Sequence, residues 1–478
     1  MGLLQIAASF AAAIVVGVLA RGAWRTYLLL ALSVLAVYWF QPAIPIRAFD
    51  FWLPSLTLVL VVITWLITSA ADAWRARMNW IALLIMVGVA SFVDLSRYIF
   101  PNPILSTSTP RLTLYLVFLV AITIAVVAIT WLSHRQTWIL AAIIILLILI
   151  LVILKTPVVS LQTSIFFRAL THRPVENALA NDLRWLGFSY IAFRLIHVLR
   201  DKQMKRLPEL SLAEFGTYVV FFPSLAAGPI DRAERFAQDL RKDFRLTQDE
   251  TLFAGQRLVI GLFKKFVLAD TLAYIALNDA LATQVRTTGW MWIIVYAYAF
   301  QIYFDFSGYT DIAIGIARLV GVRLPENFAA PYLKPNLTQF WNSWHMTLTG
   351  WIRSYFFNPF NRWVRQYKSI PAWTMILIGQ LATMLMIGLW HGVTLNFVLW
   401  ALWHGFGLFF QNRWSDLVKT RFPSINPSQQ RALQVGGIIL TFHFVALGWV
   451  FFALSSPSIS WSVFLALTSY PWGSGASR

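Results

Sequence analysis

Apolar residues fall in runs long enough to cross a bilayer. The first covers 3–20 and is followed by Arg21 and Arg25; others lie near 26–43, 52–70, 79–94, 112–132 and 138–154. About 30 Å of hydrocarbon at 1.5 Å per residue calls for about 20 residues, so each run is long enough or nearly so. The first run has no basic start and no small-residue cleavage site, and reads as a retained span rather than a cleaved signal peptide. The pattern predicts an all-α, polytopic integral membrane protein of about 10–13 transmembrane helices.

The texture changes near residue 184. Apolar runs are then broken by Gly, Pro, Asp, Asn and His, as in Phe221-Phe222-Pro223-Ser224 and Tyr303-Phe304-Asp305-Phe306-Ser307-Gly308-Tyr309-Thr310-Asp311. Irregular backbone at membrane depth is tolerated where it is buried in protein or lines a wet cavity. Three regions follow: N-terminal scaffold helices over 1–160, a site-bearing core of short, tilted or re-entrant helices over 184–455, and a hydrophobic segment with a short tail over 456–478. The charged, amphipathic stretch 231–249 is expected at the cytoplasmic surface.

Composition agrees. Of the 478 residues 59% are hydrophobic and 12% charged, half the charge of a soluble domain and too little to coat one. Disorder, a disulfide scaffold and a coiled coil are excluded at the same step. The chain has no cysteine, hence no thiolate metal site and no cysteine nucleophile. A net charge of +18 on such a chain points to cytoplasmic loops and membrane lipids rather than to nucleic acid. The 23 Trp and 15 Tyr suit interfacial belts. Loops after the first, third and fifth runs carry Arg21 and Arg25, Arg75 and Arg77, then His134 and Arg135. The intervening loops carry Arg47, Arg97 with Arg111, and Lys155, so the balance favours an N-terminus outside. The basic stretch 200–206 is expected in the cytoplasm.

Ionisable residues within such a chain are candidate functional groups, because burying them is costly. Trp341, His345 and Thr349 are four residues apart, which on one helix gives a polar face opposite an aromatic one made by Trp344, Leu348 and Trp351. The same residues equally suit a belt helix whose His makes one structural hydrogen bond. His391, in Leu389-Trp390-His391-Gly392, ends an apolar run, and a neutral imidazole there can take a proton from a hydroxyl and return it. The tetrapeptide recurs at Leu402-Trp403-His404-Gly405. On one unbroken helix the two His would face different ways, and spacing alone does not choose between them. Asp305 and Asp311 are expected to form ion pairs with Arg318 or Arg323 that brace a broken helix; cation coordination in a transporter is the alternative. No phosphate loop, dinucleotide fingerprint or Gly-Xaa-Ser-Xaa-Gly occurs, and no spacing favours a metal site.

Taken in order, Gly228-Pro229-Ile230-Asp231-Arg232, Tyr303 to Tyr309, Phe340-Trp341 with Trp344-His345-Met346-Thr347, and Leu389-Trp390-His391-Gly392 resemble the membrane-bound O-acyltransferase family. The likeness runs from about 184 to about 455. It departs at Arg353-Ser354, where the family often has Arg-Asp, and at Val450-Phe451-Phe452-Ala453, which lacks the usual Arg. The resemblance implies a central tunnel with His391 as the catalytic residue and His345 as its companion. It implies no bound cofactor and a donor that is a cytoplasmic acyl-CoA or acyl carrier protein. The acceptor would be a glycan, or an extracytoplasmic acyltransferase partner that completes the transfer. Trp341, Asn342, Trp344, Trp390, Asp305 and Tyr309 are the expected substrate-binding residues. The function implied is transfer of an acyl group, expected to be acetyl, to a hydroxyl of a cell-surface or exported polysaccharide, from the bacterial inner membrane. D-alanyl transfer to teichoic acid is the near alternative, and a transporter or flippase the distant one.

Overall fold

The computed structural model describes residues 2–100, 109–133, 138–367, 369–421 and 426–468. His134, Arg135 and the expected tail at 473–478 lie outside them. All regular elements among the described residues are helical. The chain forms two compact units, one of residues 1–258 with 310–325, the other of 259–309 with 326–478. The expected core, 184–455, contributes to both.

The first unit begins with α1 (Leu3–Leu19), α2 (Gly22–Trp39), α3 (Phe49–Thr68), α4 (Arg77–Ile99), α5 (Leu112–Ser133) and α6 (Trp138–Lys155). These match the six apolar runs closely, because each run is bounded by Arg, Pro or short polar turns. Only 6% of the most apolar window of α5 and 17% of that of α6 are buried in the protein. Helices so apolar and so little buried within the chain suit a lipid-facing position. Next come α7 (Pro157–Leu170), α8 (Phe188–Gln203), α9 (Leu212–Val220) and α10 (Ala233–Arg241). Two fully buried arginines shape this part. Arg194 donates to Val219 O at 2.7 Å and to Ser224 O and Oγ at 2.9 and 2.7 Å, so the Phe-Phe-Pro turn folds around one guanidinium. Arg25 donates to the carbonyls of Asp239, Leu240 and Lys242, meeting the free carbonyls at the end of α10 with positive charge. Helix α10 thus lies on the protein by Ala233, Phe236, Ala237 and Leu240, with Glu234 and Gln238 exposed. The unit is completed by α11 (Gln248–Leu262) and by the C-terminal part of a long helix described next.

The second unit takes up the π-helical turn Phe263–Ala269, α12 (Asp270–Ala273), α13 (Asp279–Gln284) and most of α14 (Thr288–Leu319). After 326 it contains α15 (Leu337–Trp341), α16 (Met346–Ile352), the π-helical turn Arg353–Phe357, α17 (Asn358–Val364), α18 (Ala372–His391), α19 (Leu395–Arg421), α20 (Pro427–Ala453) and α21 (Pro457–Thr468). Helices α18 and α19 pack along each other as a hairpin. Gly388 makes that approach possible, since a Cβ there would meet Phe397 O at 2.6 Å.

Seven described helices are long and apolar enough to cross a membrane: α2, α3, α4, α5, α6, α18 and α20. The rest of the expected ten to thirteen spans would have to be shorter, as α1 and α21 are, or carry charge, as α14 and α19 do.

Candidate active site

The helix expected across 340–353 is not continuous. It stops at Trp341 and restarts at Met346. Between them His345 takes the left-handed conformation, φ 43° and ψ 52°, which is uncommon for a residue with a side chain and collects at functional sites. Asn327, fully buried, explains the break. Its backbone oxygen accepts from Met346 N at 2.9 Å, and its Oδ1 accepts from Thr347 N at 3.3 Å and Thr347 Oγ1 at 2.5 Å. The two N–H groups belong to the first turn of α16, which has no intrahelical acceptor for them. Ala329 N donates to Ser343 O at 3.0 Å and ties the same two segments together. His345 therefore sits at a helix start held by a neighbouring chain segment, and the face shared by Trp341, His345 and Thr349 does not form.

His391 is the last residue of α18, with Gly392 extended after it. Its ring lies 4.7 Å from Phe452, 5.9 Å from Trp400 and 4.5 Å from Trp390, centroid to centroid. His345 packs edge-on to Phe306 at 4.6 Å and lies 6.2 Å from Trp390. The two His line one cavity of about 40 Å³. Its walls are Ile302 and Phe306 of α14, Trp341, Trp344, Leu348 of α16, Ile387 of α18, Trp400 of α19, and Trp449 and Phe452 of α20. Apart from the two imidazoles and the indole N–H groups, every lining side chain is hydrocarbon. Here the only base able to take a proton is an imidazole.

The other expected site residues lie as follows. Trp341 and Trp344 line the cavity; Trp390 adjoins both His without lining it. Asn342 is exposed and accepts a hydrogen bond from Arg353. Asp305 pairs with Lys265 and Tyr309 is buried; neither lines the cavity. Asp311 pairs with Arg257, while Arg318 pairs with Glu250. The partners thus differ from the expected Arg318 and Arg323, because the basic residues that face these carboxylates come from the segment before α14 and not from its own end. His404 is fully buried on α19 and lies outside the lining. It stands on a different helix from His391, and the Trp400 ring touches both, at 5.0 and 5.9 Å. No group of three or more His, Cys, Asp or Glu suited to a metal occurs among the described residues.

A family model covering residues 124–456 matches this chain. The chain belongs to the membrane-bound O-acyltransferase family. Membership makes it a multi-pass membrane protein with a helical fold. It is 32% identical over 286 residues to the probable alginate O-acetylase AlgI of Pseudomonas aeruginosa, a match covering 60% of this chain and 52% of that one. It is 30% identical over 307 residues to a teichoic acid D-alanyltransferase of Bacillus subtilis, covering 62% and 75%. A peptidoglycan O-acetyltransferase of Helicobacter pylori is 32% identical over 243 residues, covering 50% and 43%. The chain spans about half the length of the O-acetylases it matches.

Several site residues escaped sequence reasoning. Asn327 sits in a polar stretch with no helical pattern to mark it. Trp400 precedes the second Leu-Trp-His-Gly by two residues, Phe452 figures only in Val450-Phe451-Phe452-Ala453 as a departure from the family, and Trp449 has no polar neighbour to mark it. Their signal was the density of Trp around two His, visible but without a rule to assign it.

Proposed function

We propose that this chain is an acyltransferase that moves an acetyl group from a cytoplasmic thioester donor to a hydroxyl of a cell-surface or exported polysaccharide, directly or through a partner protein. Its expected site is the bacterial cytoplasmic membrane. The observation that carries the reading is one small apolar cavity lined by two imidazoles. A water needs about 10–15 Å³ of such volume, so 40 Å³ suits the three non-hydrogen atoms of an acetyl group. His391 acts as general base toward the acceptor hydroxyl and returns the proton to the departing thiolate. His345 positions the thioester. Trp341 and Trp344 shape the wall, and Asn342, Trp390, Asp305 and Tyr309 stand outside it as candidates for the approach of donor or acceptor.

The likeness to a D-alanyltransferase over 75% of that protein's length favours a second reading, aminoacyl transfer from a carrier protein to teichoic acid. Against it, no carboxylate lines the cavity to meet an ammonium group. The test is purified protein in nanodiscs with radiolabelled acetyl-CoA, wild type against His391→Ala. Release of CoA by wild type alone supports acetyl transfer at His391. Turnover only with carrier-bound D-alanine supports the second reading. A variant as active as wild type sinks the role given to His391.

A further inference from the structure

Attack of a hydroxyl on a thioester carbon pushes the carbonyl electron pair onto oxygen, and that negative charge must be met by donors already in place. His391 is occupied with the hydroxyl proton, so other donors are required. Four tryptophans line the cavity. Trp449 spends its N–H on Tyr332 Oη at 3.1 Å. The N–H groups of Trp341 and Trp400 are buried and hydrogen-bond to nothing among the described residues. An indole N–H is a donor only, and a buried donor without a partner calls for an explanation, of which a catalytic role is one. The two rings lie 5.8 Å apart at 78°, and Trp400 is 5.9 Å from His391.

We propose that the indole N–H groups of Trp341 and Trp400 form the oxyanion hole of the acyl transfer; this rests on the reading above. The acceptor oxygen bonds to the carbonyl carbon while its proton passes to His391. The C=O π pair moves to oxygen, held by the two N–H groups. The pair then returns, the C–S bond breaks, and the thiolate takes the proton back from the imidazolium, leaving ester, thiol and neutral His391.

A rival employment exists for the same donors. His404 touches both rings, 5.2 Å from Trp341 and 5.0 Å from Trp400, and its own ring nitrogens have no hydrogen-bond partner among the described residues. A Cβ at position 448 would come within 2.8 Å of His404 Nε2, so Gly448 makes room for it. If the imidazole takes an indole proton as acceptor, the N–H groups serve packing alone.

Trp341→Phe and Trp400→Phe separate the two, since each keeps an aromatic ring and removes the N–H. They are measured in nanodiscs for kcat, KM and thermal unfolding. Trp403→Phe is the control: its N–H donates to Phe444 O at 3.0 Å and it does not line the cavity. The expected result is a fall in kcat of about 10²-fold for each cavity variant, with KM unchanged and the control retaining kcat. Trp400→His, which restores a ring donor, should recover part of the loss even if Trp400→Phe folds poorly. Wild-type kcat in both Phe variants overturns the oxyanion hole and leaves acyl transfer standing. A loss of stability without loss of kcat assigns the donors to His404 and overturns it equally. No wild-type turnover with any acyl thioester overturns both readings.

Discussion

Asn327 controls how His345 is presented. Its side-chain oxygen accepts from both donors of Thr347, and its backbone oxygen from Met346. Asn327→Ala leaves the backbone contact and removes the side-chain acceptor of Thr347 N and Oγ1, a cost of about 1–3 kcal/mol. The turn that holds His345 left-handed then loosens. We expect a lower unfolding midpoint and a fall in kcat larger than any change in KM, while Asn327→Asp, which keeps the acceptor, retains more activity than Asn327→Ala. Glu214 is a second residue with a measurable signature. Burial alone would raise its carboxyl. Arg241 donates to it, as do Ser211 N at 2.9 Å and Ser211 Oγ at 3.0 Å, and together they hold it below the ordinary 4.5. A depressed carboxyl stabilises the fold fully above its unfolded value and loses that contribution as pH falls through the folded one. Thermal midpoints should therefore drop below about pH 4.5 less steeply in Glu214→Gln than in wild type. At neutral pH the variant should be less stable by up to about 1 kcal/mol, because Gln keeps the capping-box acceptor and loses only the charge that pairs with Arg241.

Between elements, the ion pairs of the first unit follow antiparallel packing of α11 on α14. Glu250 meets Arg318 and Arg257 meets Asp311, with Phe253 under both guanidiniums at 4.7 and 5.6 Å. These partners lie 68 and 54 residues apart in sequence. Asp311 is almost fully buried, so Asp311→Asn leaves Arg257 short of its partner and should cost about 1.5–3 kcal/mol, read as a lower unfolding midpoint. Arg257→Gln combined with Asp311→Asn should cost less than the sum of the two single variants. The six N-terminal helices were legible to within a few residues, since lipid-crossing helices announce themselves by run length. The carboxylates were legible as ion-pair members, but their partners depend on which helices pack, which no local spacing encodes. The break at 342–345 was hidden for a related reason: helical spacing assumes an unbroken helix, and this one is interrupted by Asn327, a residue from outside its own segment.

For the whole molecule, composition carried most of the reading, because a chain with 12% charge has nowhere to put its apolar surface except lipid. The exposed faces of α5 and α6 bear this out. Orientation is a separate matter, set by where Lys and Arg gather at helix ends. Arg200, Lys202, Lys205 and Arg206 crowd the end of α8 and the turn after it, while the loop between α2 and α3 carries Arg47 alone. The basic turn should therefore lie on the cytoplasmic side of the membrane and position 47 on the opposite one. The natural absence of cysteine makes this directly measurable, since any thiol introduced is the only one. Gln203 and Arg47 are both exposed. In intact cells a membrane-impermeant maleimide should label Arg47→Cys and spare Gln203→Cys. After permeabilisation both should react. Replacing Gln203 keeps every positive charge of the turn, so the orientation signal is unaltered by the probe. Labelling of Gln203→Cys in intact cells would reverse this orientation.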